Sequence, residues 1–357
     1  MAHGSRLAAH EAVSTALARH DDRALLALVE TAAPLGSGIG GTSALLDVAG
    51  TPVFVKRVPL TDLERRPENV GSTANLFGLP LFCQYGIGSP GFGAWRELAV
   101  HTMTTDWVIA GDHEGFPLMH HWRVLPDSAP PRDSTLPAEL ADTERAVAFW
   151  GGGSQVRSRI EGLQRSSASV ALFLEYVPQN LHQWLGEQLG TGGEAAERAC
   201  AMVERDLETA TAFMNARGLL HFDAHFENIL TDGRRLYFAD YGLAMSSRFA
   251  LSPQEADFFD RHRTYDRVYA LTYLVNWLVT AVYGDERDDR EARIRAFAQG
   301  EHPTGVPAAV AAIVARHAPL TAVMATFFRR LQREHRQTPY PLAEIRRIGR
   351  GYSPRIA

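Results

Sequence analysis

The chain has 357 residues, enough to bury a large core in two domains or lobes, and a composition of 45% hydrophobic and 22% charged residues that is ordinary for a globular protein. A net charge of −5 argues against a general affinity for polyanions, so no nucleic-acid partner is expected. The two cysteines, Cys83 and Cys200, lack metal-like spacing and fit a reducing compartment.

No run of about 18 apolar residues suggests a membrane span. The N-terminus has no apolar signal core, so cytoplasmic residence is the expectation. Lys56 is the single lysine; the other 35 basic residues are arginine. That makes position 56 a candidate for chemistry that a compact ammonium serves and a guanidinium does not.

Residues 5–31 are rich in Ala and Leu and predict a packing helix. Gly36, Gly38 and Gly41 then make G-x-G-x-x-G. A dinucleotide fold would open a helix at the third glycine. Here a strand over 42–48, a turn at Ala49-Gly50-Thr51-Pro52 and a second strand over 52–58 follow instead. The spacing predicts a glycine-rich hairpin whose N–H groups can approach phosphates closely, with Lys56 on its second strand.

Residues 60–92 are irregular and read as an insertion, a lid or a substrate wall. A helix over 93–108 carries Glu97 near its start. It is either a solvated residue favoured by the helix dipole or the carboxylate that fixes Lys56, with Glu64 and Glu68 as rivals for that role.

Residues 116–125 predict a strand in which His120 and His121 face opposite ways. Residues 127–137 read as a linker, followed by a helix to about Trp150 and a flexible Gly-Gly-Gly-Ser; 126–167 is taken as a second insertion. A buried strand beginning near 169 runs into a connector, where the backbone of Glu175 to Val177 is a candidate for bonding a nucleobase or simply a strand end. A strong helix over 194–217 stops at Gly218.

It delivers the chain to HFDAHFENILTDGRRLYFADYG, residues 221–242. Here His221, Asp223 and His225 alternate, Asn228 follows, and Asp240 precedes Tyr241 and Gly242. A polar loop is the plain reading. If the three alternating residues formed a strand face they could bind a transition metal, but that leaves Asn228, Asp240, Lys56 and the glycine hairpin without a role.

Taken in order, the glycine hairpin, V-F-V-K, the helix glutamate, H-x-D-x-x-x-x-N and D-Y-G resemble the protein-kinase-like superfamily from about residue 33 to at least 284. The resemblance implies an α+β, two-lobed fold: an antiparallel β-sheet N-lobe over 31–178, after an N-terminal helical extension over 1–30, and a mainly helical C-lobe over 179–357. It implies ATP and Mg²⁺ as cofactors. Asp223 would orient a substrate hydroxyl and accept its proton, and His221 would brace the loop. Asn228 and Asp240 would hold Mg²⁺, Lys56 fixed by Glu97 would contact the α/β-phosphates, and the glycines would cover them.

Asp266 matches the family's aspartate that braces the catalytic loop from a buried helix. Two departures bear on the acceptor. His225 stands where Ser/Thr protein kinases usually carry Lys, as in aminoglycoside- and choline-kinase-like enzymes. Asp240 and Asp266 are 26 residues apart with no Ala-Pro-Glu between them, so the peptide-docking segment is short. These favour a hydroxyl-bearing small molecule over a protein acceptor. An atypical Ser/Thr protein kinase and a pseudokinase scaffold are the alternatives. Beyond 285 the chain predicts helices, with a basic C-terminal region that includes Arg329, Arg330, Arg336 and Arg355.

Overall fold

The computed structural model describes residues 3–38, 41–86, 88–127, 142–284 and 286–351, and is α+β. In chain order, α1 (His3–Ala18) and α2 (Asp22–Glu30) precede β1 (Ala33–Gly38), β2 (Gly41–Val48), β3 (Thr51–Leu60), α3 (Ala94–Ile109), β4 (Met119–Pro126), α4 (Thr143–Phe149), α5 (Ser154–Gln164) and β5 (Ala168–Glu175). There follow α6 (Leu181–Thr191), α7 (Gly193–Ala216), α8 (Pro253–Arg261), α9 (Tyr265–Tyr283), α10 (Arg287–Ala298), α11 (Ala308–Arg333) and α12 (Leu342–Gly351). The chain forms two compact units, Met1–Val177 with Tyr237–Ala256, and Pro178–Leu236 with Asp257–Ala357.

The first unit is built on an antiparallel sheet of order β1-β2-β3-β5-β4. Strand β5, between β3 and β4, is buried on both faces, and the period-two alternation of a strand sorts its side chains. Ala171 and Phe173 pack with Val13, Leu17 and Leu25 of α1 and α2. Val170, Leu172 and Leu174 pack with Trp95 and Leu98 of α3. The helical stretch expected over 5–31 forms two helices, and Asp21 caps the second by accepting the Ala24 N–H at 2.8 Å.

The 60–92 stretch is mostly irregular, with short 3₁₀ turns at Pro67–Asn69 and Leu81–Gln84. It is tied into the first unit: Arg96 donates to Thr73 O, and the Gln84 amide donates to Leu243 O. Residues 128–141, most of the expected linker, lie outside the described residues. The described part of the second insertion holds α4 and α5, and α5 buries Val156, Arg159, Ile160 and Leu163.

In the second unit the buried helix α9 packs against α7, α10 and α11, with Val268, Leu271, Leu274, Val275 and Leu278 as its core face. Gly284 ends it in the left-handed conformation that glycine adopts without steric cost. Short strands Gln179–Asn180 and Ile229–Thr231 pair antiparallel. Among the described residues one helix, α11, is long and apolar enough to cross a membrane, with a mean hydropathy of 1.5. Arg316, His317 and Pro319 interrupt its apolar run, and Val310, Ile313, Val314, Leu320, Met324 and Phe327 are buried among its neighbours.

Both cysteines are buried and free; burial pushes the Cys83 thiol up to about 12 and Cys200 to about 11, so neither is an activated nucleophile. Of the C-terminal arginines, Arg329 and Arg330 pair with Glu291 and Glu334, and Arg355 lies outside the described residues.

Buried ion pairs anchor α3. Arg96 meets Glu255, at the start of α8, at 2.6 Å, and both side chains are almost wholly buried. At its N-terminus, Glu64 accepts the Ala94 N–H at 2.8 Å and pairs with Arg159 at 2.9 Å. Gly93 has φ +132°, and a Cβ there would lie 2.7 Å from Glu64, so the helix entry requires glycine.

Removing one member of such a pair strands the other charge. Glu255→Gln should therefore lower unfolding stability by about 3–5 kcal/mol, while the double change Arg96→Met with Glu255→Met recovers most of it. Denaturant titration measures both. A loss no larger than an exposed pair's, about 0–1 kcal/mol, would contradict this account.

Candidate functional site

The sequence-predicted residues form two clusters, one in each unit. In the first, Lys56 on β3 reaches Glu97 on α3 at 2.7 Å and Asp240 at 2.9 Å. Glu64 is spent on the N-terminus of α3 and on Arg159, and Glu68 is exposed, so Glu97 is the glutamate that meets Lys56.

Burial works to lower the Lys56 pKa, but Asp240 and Glu97 overcome it and hold the ammonium above its ordinary value. Two carboxylates share one ammonium, so burial with incomplete neutralisation pushes Glu97 up to about 7, Lys56 opposing and Asp240 adding to the rise. Asp240 is the open member, its side chain 41% exposed.

Asp240 has φ +62°, a conformation that costs a non-glycine residue energy and needs support. Tyr241 supplies some of it: it is buried, its hydroxyl donates to Phe238 O at 2.6 Å, and its ring packs edge-on against His101 of α3. Gly36 and Gly38 lie in β1, and Gly41 opens β2. Gly41 has φ +119°, and a Cβ would overlap Arg57 O at 1.9 Å, so the hairpin itself demands glycine. At Gly36 a Cβ would meet nothing within 4 Å. The hairpin tip, residues 39 and 40, lies outside the described residues.

At the end of β5, the Glu175 N–H is taken by Leu118 O at 2.7 Å, and its carboxylate is gripped by the two ends of the Arg6 guanidinium at 2.9 and 2.7 Å. A donor offered to a ligand from Glu175–Val177 therefore comes from beyond Glu175. Val177 is buried.

In the second unit the residues 221–228 are loop, not strand. Two successive N–H groups fall on one carboxylate: His221 N–H donates to Asp266 at 2.6 Å and Phe222 N–H at 2.8 Å, and Phe222 itself has φ +63°. His221 is fully buried, and its Nδ1 accepts the Asp223 N–H at 3.3 Å. Asn228 donates from Nδ2 to Asp223 O at 3.1 Å and to its carboxylate at 3.2 Å. Its amide oxygen is thereby the part suited to a hard cation, as is the open carboxylate of Asp240.

His225 Nδ1 lies 2.8 Å from Glu227, and its Nε2 is 3.8 Å from Asp223. The alternating His-Asp-His face of a transition-metal site is not formed. Among the described residues no three His, Cys, Asp or Glu side chains converge on a metal position.

Glu227 was not expected. It accepts from Tyr273 at 3.2 Å, and Trp277 donates to His182 at 3.1 Å. Burial works to raise the Glu227 carboxyl, but its own backbone, His225 and Tyr273 hold it below the ordinary carboxylate range. A readable signal existed: Asp266, Tyr269, Tyr273, Trp277 and Thr280 recur at helical spacing on a helix whose other face is apolar.

Burial raises the Asp266 carboxyl to about 6, against the lowering effect of the His221 and Phe222 N–H groups. The native state thus holds this proton more tightly than the unfolded chain. Its contribution to stability is full below the unfolded value, near pH 4, and is lost as pH rises through about 6. Asp266→Asn should remove that slope from the pH–stability profile. An amide presents only one acceptor to the two N–H groups, so stability should also fall by about 1–3 kcal/mol. An unchanged profile would contradict the assigned bond pattern.

No family model matches the chain. A curated protein with detectable similarity is the mitogen-activated protein kinase kinase kinase mkh1 of Cytospora mali, 24% identical over 139 residues. The match covers 39% of this chain and 7% of that protein, a distant and partial likeness to a protein kinase.

Proposed function

We propose that the chain is an ATP- and Mg²⁺-dependent phosphotransferase of two-lobed, protein-kinase-like fold, acting on a hydroxyl. The observation that carries this reading is the buried ammonium of Lys56 held between Glu97 and the open carboxylate Asp240. Mg·ATP, when bound, supplies the transferable phosphoryl group and a charge-neutralising cation.

Lys56 and the hairpin of Gly36, Gly38 and Gly41 would receive the phosphates, and the stretch ending at Val177 the base. Asp240 and Asn228 would each offer an oxygen to the cation; that they share one rests on the order of the motifs. Asp223 would orient the acceptor hydroxyl and take its proton as the new O–P bond forms and the bond to the leaving diphosphate breaks.

A small-molecule acceptor is favoured. His225 replaces the lysine usual in Ser/Thr protein kinases, and it is tied to Glu227. The segment after Asp240 is short, and its Glu255 is locked to Arg96 in a buried pair rather than left free to respond to phosphorylation. A protein acceptor is the second reading, favoured by the partial likeness to a protein kinase kinase kinase.

Asp223→Ala should reduce γ-phosphate transfer by on the order of 10²–10⁴-fold while leaving Mg·ATP affinity within a few-fold. Asp240→Ala should remove the Mg²⁺-dependent part of ATP affinity. Transfer assays with labelled ATP and titration calorimetry read the two effects. An active Asp223 variant, or unchanged Mg·ATP affinity without Asp240, would overturn the assignment.

A further inference from the structure

The second unit contains a cavity of about 370 Å³ that none of the roles above uses. It is lined by His182 of α6, by Tyr273, Asn276, Trp277 and Thr280 of α9, and by Arg290 of α10. That volume lies at the low end of small-molecule sites, about 300–1,000 Å³. A continuous set of contacts ties its wall to the loop that carries Asp223. Asp223 is 3.8 Å from His225, His225 is 2.8 Å from Glu227, and Glu227 accepts the Tyr273 hydroxyl at 3.2 Å.

The polar groups of the lining have a definite sense. Trp277 donates to His182 Nδ1, which also lies 3.6 Å from Glu227. Asn276 commits one N–H to Thr272 O and keeps its amide oxygen and second N–H. Arg290 donates from Nη1 to Thr280 at 2.9 Å. Its Nε is buried without an acceptor, and no carboxylate pairs with its guanidinium among the described residues. The residue is half-buried, so the guanidinium stays open to an anion entering the cavity, and the buried Nε is a donor that such an anion would satisfy. Glu227, the nearby carboxylate, is already engaged by His225 and Tyr273. The cavity therefore offers a planar cation, hydrogen-bonding groups and an aromatic surface, which suits a polyol with an anionic group and disfavours an ammonium beside Arg290.

We propose that this cavity binds the acceptor, and that the acceptor is a small polyhydroxylated compound carrying a carboxylate or a phosphate that Arg290 receives. The inference rests on the phosphotransferase reading. The acceptor hydroxyl gives its proton to Asp223 and gains the γ-phosphoryl group, and ADP leaves.

The test uses the full chain with four compounds on one carbon skeleton: glucose, gluconate, glucose 6-phosphate and glucosamine. Binding is measured by titration calorimetry, and transfer by ADP release with Mg·ATP. At least one of the two anions should bind tenfold or more tightly than glucose, and glucosamine more weakly than glucose. Which anion is preferred distinguishes carboxylate from phosphate.

Arg290→Gln should abolish the preference by raising the anion's KM with little change in kcat, and Arg290→Lys should restore part of it. Preference for glucosamine, binding of neither anion, or an anion preference that survives Arg290→Gln would overturn the proposal. Magnesium-dependent ATP binding, and its ADP release lost on Asp223→Ala, report separately on the phosphotransferase reading. If they hold while the anions fail, only the acceptor class falls.

Discussion

One buried ammonium organises the first unit. Lys56 is flanked at 2.7 and 2.9 Å by Glu97 and Asp240, and only Asp240 is substantially open to solvent. A buried cation is tolerable when matched by anions at hydrogen-bond distance, and the surplus carboxylate makes the cluster an acceptor of further positive charge. The sequence keeps lysine at this position and arginine at every other basic one. A compact ammonium donates in three directions and fits between two carboxylates from different elements; a planar guanidinium imposes a fork of fixed geometry.

The surrounding structure maintains that geometry. β3 lies beside the doubly buried β5, which fixes Lys56 from below. α3 is held at its entry by Glu64 and within its first turn by Arg96–Glu255, so Glu97 is presented from a helix with little freedom to swing. Asp240 sits in a left-handed conformation beside the buried, hydrogen-bonded Tyr241. The second unit uses the same economy: Asp266, on the buried helix α9, collects two successive backbone N–H groups and so shapes the loop carrying Asp223 and Asn228. In both places a strained non-glycine residue accompanies the carboxylate.

Local signals were legible wherever they were strong. Ala49-Gly50-Thr51-Pro52 announced the β2–β3 turn, and the periodicity of 194–217 announced α7. The break between α1 and α2 was not legible in a run of good helix formers; Asp21 caps the second helix there. Partner choice was not legible from residue pattern alone; only the resemblance put Glu97 on Lys56. Glu64, Glu68 and Glu97 are equivalent acids in a sequence, and only tertiary packing sends Glu64 to α3's N-terminus and Glu97 to Lys56. Arg96 and Glu255 are 159 residues apart, and Arg6 and Glu175 are 169 apart, so no pattern rule reaches them. His225 was singled out, but its tie to Glu227, Tyr273 and the Arg290 cavity appeared only in the fold.

The most direct test of the central claim is ATP affinity, with and without Mg²⁺, for the native chain and for Lys56→Arg. This substitution keeps the charge and changes only its shape and donor geometry. The account predicts Mg²⁺-dependent ATP binding by the native chain and at least a roughly tenfold loss in the variant, about 1.4 kcal/mol. Absence of ATP binding by the native chain, or equal affinity in both, would contradict it.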